Sequence, residues 1–317
     1  MERRPSGAPR ARGVTRLIGI AALLAAPLLA SLAAQAPAPG TTLDRIRAAG
    51  RIRLGYRSDA RPFAFKDSTG QPAGYSTALC GAIADAVKQE PGLSAAAVEW
   101  VPLAVDERFA ALQQGRVDVL CGAETITIAR RGQAAFSTPI FPGGVGALVR
   151  SDAPIRLRQI LSGKEDTFRP TWRAAATQVL QARAFSAVQG TTAETWLTTR
   201  IRDLQVIAEV SRVSGYDAGV QGVLDRKADV LFGERAVLLD AAARHQAAAD
   251  LLVIDRLFTD EPLALGVPLG DDAFRLLVDR TLNRLYRSGE INGIYAKSFG
   301  EPDQAARTFF RSNTFPE

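Results

Sequence analysis

Histidine is nearly missing from this chain of 317 residues: His245 is the single one, on an alanine-rich stretch. Cysteine is scarce too, and the spacing of Cys80 and Cys121 matches no metal-binding motif. A metal centre and histidine-based catalysis are therefore not expected, and no cofactor is expected. No basic stripe with interleaved aromatics is present, which removes the usual footprint of a nucleic-acid binder. Long apolar runs are rare. The one candidate, residues 17–32, is short for a membrane span.

That run follows Arg3, Arg4, Arg10, Arg12 and Arg16 and precedes small residues, so residues 1–36 are expected to be an export signal. An uncleaved N-terminal anchor is the alternative. Arg3-Arg4 lacks the residues that follow a twin-arginine signal, and no cysteine stands near residue 36 to carry a lipid. Without those five arginines and Glu2, the formal charge of +6 falls to about +2, so the basic balance belongs largely to the signal. A periplasmic location follows as an expectation. At 47% apolar, the remainder can bury a core of one or two domains.

In an oxidising compartment two cysteines suggest a disulfide. Cys80 shares a helical face with Ile83 and Val87, and Cys121 closes an apolar run at residues 117–121. Two separate buried thiols are the other reading.

Apolar periodicity and punctuation predict strands at residues 51–56, 98–101, 117–121, 145–149, 185–188, 203–210, 228–232, 251–254 and 263–267. Helices are expected at 41–49, from Ser76 through Val87, from Asp106 to Gly115, and from Thr191. Others are expected at 216–226, 235–245, 272–286 and 290–299. Alternating strands and helices make an α/β protein with largely parallel sheets. Residues 156–183 read as a surface insertion, with Thr171 capping a helix on which Ala175, Val179 and Leu180 share a face.

The most informative stretch is VDVLCGAETITIARRGQAAFSTPIF, residues 117–141. A buried strand breaking at Gly122, followed by Thr125, Thr127 and Arg130, gathers amides, hydroxyls and a guanidinium at one sheet edge. A planar guanidinium holds a carboxylate by two parallel bonds. Ordinary strand threonines beside a solvated arginine would give the same letters.

GxxTxTxxR followed by FSxPxF resembles the signature of the family 3 extracellular solute-binding proteins, the amino-acid receptors of bacterial ABC importers. YRSDARPFAF, GYSTALCGAIADAV, DERFAALQQGRVDVLCG and RGQAAFS are most similar to its glutamate/aspartate-binding branch. The resemblance implies the type II periplasmic binding protein fold: two lobes, residues 41–144 with 260–317 and residues 145–259, around a ligand cleft. It implies that Arg130, Thr125 and the amides at Thr191 and Thr192 hold an amino acid's α-carboxylate. Glu234, where most members carry Asp, and the Ala123 carbonyl would hold the ammonium. Arg57 and Arg108 would meet an acidic side chain, with no carboxylate of the chain assigned to either. The partners implied are an amino acid and a membrane permease, and a monomer is expected.

Val105 and Ala123 stand where the branch has serine, and Val188 where it has threonine. The branch's ligand-contacting histidine has no counterpart; Tyr216 is nearest. A broad amino-acid receptor therefore stays open. So does an arogenate or prephenate dehydratase, for which Glu234 is the one acid at hand. A sensory or scaffold module requires the anchored N-terminus.

Overall fold

The computed structural model describes residues 40–164 and 173–316. The expected export signal and Thr171 lie outside the described residues. The α/β, two-lobed expectation is met by two sheets. In the first, Ala97–Pro102, Arg51–Tyr56 and Val119–Thr125 run parallel, and Glu261–Val267 returns antiparallel beside Val119–Thr125. Ala135–Phe136 and Phe141–Gly143 pair with that return strand. In the second, Glu209–Val213, Ala184–Val188 and Val230–Glu234 run parallel. Val145–Arg150 joins them antiparallel, with Leu251–Val253 at its far edge. The chain thus passes from one sheet to the other at Gly144 and returns before Glu261, which sets strand ends of both sheets around one cleft.

The helix Tyr75–Lys88 covers the first sheet with Leu79, Cys80, Ile83 and Val87, all without solvent exposure. The spacing of three and four residues explains this: it aligns them along one stripe. Cys80 and Cys121 are bonded, with Cα atoms 6.0 Å apart. In the second sheet Val145, Ala147 and Val149 alternate toward a cluster with Leu157, Phe185 and Leu197.

Several boundaries differ from expectation for local reasons. The strand expected to break at Gly122 begins at Val119 and continues through Gly122 to Thr125. Its predecessor Asp118 is instead spent on a bond from the Arg53 amide, 2.8 Å. Ser76 does not cap its helix. Gly74 does, at φ +123°, and the Tyr75 and Ser76 amides donate to the carbonyls of Pro62 and Phe63. Asp106 does not cap either: the helix is Arg108–Gln113, and Glu107 folds back to accept from the Ala104 amide.

Residues 203–210 are not a strand. The helix Thr192–Asp203 runs through Asp203, and the strand is Glu209–Val213. That strand is an edge with no buried residue, so it shows no apolar alternation. Gln304–Ser312, expected only as a tail with aromatic anchors, is a helix capped by Asp303 that buries Ala306 and Phe310. In the 156–183 stretch, Ile155–Ser162 and Arg173–Leu180 are helical, and Val179 and Leu180 pack on the second sheet's core.

Candidate ligand-binding site

A cleft with about 540 Å³ of space free of protein atoms, part of it open to solvent, lies between the strand ends. All eight residues expected at a ligand line it. Arg57, Arg108, Ala123, Thr125 and Arg130 come from the first sheet's side; Thr191, Thr192 and Glu234 come from the second's.

Arg130 is placed by its own short helix, Ile128–Arg131. Thr127 caps that helix by accepting from the Arg130 amide at 3.1 Å, and the guanidinium returns to the Thr125 carbonyl at 3.1 Å. Among the described residues no carboxylate forms an ion pair with Arg130, and its guanidinium lines the cleft 5.5 Å from the Phe109 ring centre. Opposite it, Thr191 caps Thr192–Asp203 by accepting from the Glu194 amide, and Glu194 accepts from the Gly190 amide at 2.7 Å. Glu194 thus holds the glycine before the cap rather than Thr191 itself, and the helix start at Thr191 and Thr192 lines the cleft, where free first-turn amides suit an anion.

Glu234 ends the strand Val230–Glu234 and begins the next helix, accepting from the Ala236 amide at 3.3 Å and the Gly144 amide at 3.0 Å. Burial is the largest influence on this acid and pushes it up to about 8, with nearby Glu261 acting in the same direction. The Tyr216 hydroxyl accepts from the Glu234 amide at 3.3 Å. Tyr216, weighed only as the nearest residue to a missing histidine, is thus a wall of the site. Burial raises its phenol to about 12, so it stays neutral.

The two remaining arginines contradict one expectation: each already has a carboxylate of the chain. Arg57 grips Asp59 by two bonds, 2.9 and 2.8 Å. Arg108, the first residue of its helix Arg108–Gln113, is 5% exposed and donates to Glu124 Oε2 at 2.7 Å. Charge that would be costly to bury alone is thereby matched.

Sequence reasoning missed Glu124 and Glu261. The first hides inside the signature, between Ala123 and Thr125. The second opens the return strand, and there Thr192 Oγ1 donates to its Oε2 at 2.7 Å and Thr259 Oγ1 to its Oε1 at 2.9 Å. Thr125 and Thr192 hydroxyls stand 3.4 Å apart. Arg61 and Asp240 approach to 3.8 Å farther out. These contacts join the two sides of the cleft.

The cleft thus brings Arg130, the helix start at Thr191 and Thr192, and Glu234 together at the strand ends. The family model for bacterial extracellular solute-binding proteins, family 3, matches residues 52–301. The chain belongs to that family. It is 28% identical to the L-glutamate/L-aspartate-binding protein of Pseudomonas aeruginosa, over 89% of this chain and 86% of that protein. It is also 28% identical to the general L-amino acid-binding periplasmic protein AapJ of Rhizobium johnstonii, over 93% and 81%. Among solved structures, the ancestral amino acid-binding protein AncCDT-1, described as a precursor of cyclohexadienyl dehydratase, superposes with a TM-score of 0.65. It is 25% identical, covering 82% of this chain and 100% of that one.

Proposed function

We propose that this family 3 protein captures an L-amino acid in the cleft, glutamate and aspartate among its ligands, and delivers it to a membrane ABC transporter. The observation that carries the reading is one cleft lined by Arg130, unpaired among the described residues, and by Glu234. Together they offer a cation for an α-carboxylate and an acid for an α-ammonium. Thr125 and the amides of Thr191 and Thr192 complete the carboxylate side, and the Ala123 carbonyl the ammonium side. Arg57 and Arg108 are the groups that an acidic side chain would approach. Relatives named for glutamate and aspartate support that choice of side chain.

In this reading the lobes are residues 41–144 with 260–317 and residues 145–259, and the protein works as an exported periplasmic monomer. Ligand closes the hinge at the two crossings by binding the closed form better than the open one. The bonds of Thr192 with Glu261 and Thr125 belong to that closed form. A thermal-stability screen of the twenty L-amino acids tests the proposal. A true ligand at a hundred times its Kd adds about 2.7 kcal/mol. Absence of any stabilising amino acid overturns it.

One observation favours a second reading. Glu234, pushed up to about 8, carries a proton at neutral pH, as an acid releasing a hydroxyl must. Incubation with arogenate and prephenate separates the two: conversion that Glu234→Gln abolishes would make the protein a dehydratase.

A further inference from the structure

Glu124 is 4% exposed, next to last in the strand Val119–Thr125, which is buried nearly throughout. An acid there is costly as an anion unless matched. Burial does push it up, but Arg108, then Arg130 and Arg57, pull it below the usual carboxylate range, so it is ionised. Its place is built in. Gly122 lies two residues back on the same strand face, and a Cβ there would stand 2.6 Å from Glu124 Oε1. The carboxylate occupies room left by the missing side chain, and from there it receives Arg108 Nε at 2.7 Å. Arg57 is meanwhile held by both oxygens of Asp59.

We propose that Glu124 determines the specificity of the cleft's side-chain end. It holds on Arg108 the place that a ligand's side-chain carboxylate would take, so amide side chains are accepted alongside acidic ones. This rests on the amino-acid reading of the cleft given above. A glutamate ligand brings a second anion beside Glu124 and must compete with it for Arg108. Glutamine brings no charge, and its amide can donate toward Glu124 while accepting from a guanidinium. The chain's own acid thus narrows the margin that two arginines would otherwise give to acids.

Titration calorimetry with glutamate and glutamine tests this. Wild type is expected to bind the two within about tenfold of each other. Glu124→Gln keeps the volume, removes the competitor and leaves Arg108 short of an anion. Glutamate should then gain on glutamine by at least about tenfold, and an unchanged ratio overturns the proposal. Should that variant not fold, the double variant Glu124→Gln with Arg108→Gln strands no charge and carries the test. Its ratio should stay within about threefold of wild type, since the pair is removed as a neutral unit. A tenfold fall for glutamate would mean that Arg108 serves the ligand directly, and would overturn the proposal. Thermal shift with glutarate, a dicarboxylate without an ammonium, needs no amino-acid binding at all. Glutarate should raise the melting temperature of Glu124→Gln more than that of wild type, and equal shifts count against Glu124. If wild type binds neither amino acid while glutarate still separates the two proteins, the amino-acid reading fails and the role of Glu124 stands.

Discussion

Glu234 fills space that a side chain on Gly143 would need: a Cβ there would stand 2.7 Å from Glu234 Oε2. The next amide, Gly144, donates to that oxygen at 3.0 Å. Gly143 at the end of its strand and Gly144 at the first crossing therefore make the room and the donor that hold Glu234, the acid proposed for the ammonium.

Because burial pushes Glu234 up to about 8, its carboxyl is neutral at pH 7 until an ammonium arrives. Binding an amino acid at pH 7 should therefore release close to one proton. Apparent affinity should rise with pH and level off above about 8. Calorimetry at pH 7 in buffers of different ionisation enthalpy reads the proton directly, and Glu234→Gln should abolish it. The same shift bears on the ligand-free fold. An acid whose folded value lies above the ordinary 4.5 binds its proton more tightly when folded, so its contribution is greatest below 4.5. That contribution declines as pH climbs through about 8, which urea midpoints across the range should record.

Arg130 should matter to every ligand alike. Removing the cation from a desolvated carboxylate costs about 3–5 kcal/mol, so Arg130→Ala should weaken all amino acids by at least about a hundredfold. A folded variant that binds within a few-fold of wild type would move the α-carboxylate elsewhere.

The Cys80–Cys121 bond closes a separation of 41 residues. In the chain-entropy model that is worth roughly 4 kcal/mol. Thiol labelling of denatured, unreduced protein should find no free cysteine, and reduction should lower the guanidinium midpoint accordingly.

Gly74 leads into the helix that carries Cys80. Its φ of +123° is open to glycine, and a Cβ would meet the Phe63 carbonyl oxygen at 2.3 Å. Gly74→Ala should destabilise the fold by about 2 kcal/mol or more, measured by denaturant unfolding. A cost below about 0.5 kcal/mol would show that the turn yields.

Local signals were legible wherever one residue's chemistry acts within a turn or two. Thr191 marked a helix start because the bond its hydroxyl accepts from the Glu194 amide spans three residues. Cys80, Ile83 and Val87 marked a buried face because helical spacing aligns them. The signature motif pointed to the family, and through it to eight of the residues that line the cleft. The edge strand Glu209–Val213 was not legible, since it buries no residue and so writes no alternation.

Charge pairing was beyond reach for a different reason. Glu124 and Arg108 are sixteen residues apart on a strand and a helix, and only the packing of that helix brings them to 2.7 Å. Thr192 and Glu261 are 69 residues apart and meet because two crossings fold one sheet's strand ends against the other's. The sequence alone pointed to three guanidiniums, a helix start and one acid, Glu234, for this cleft. The tertiary structure decided which of them the chain spends on itself, because Coulomb energy depends on distance and burial, and neither is written along the chain.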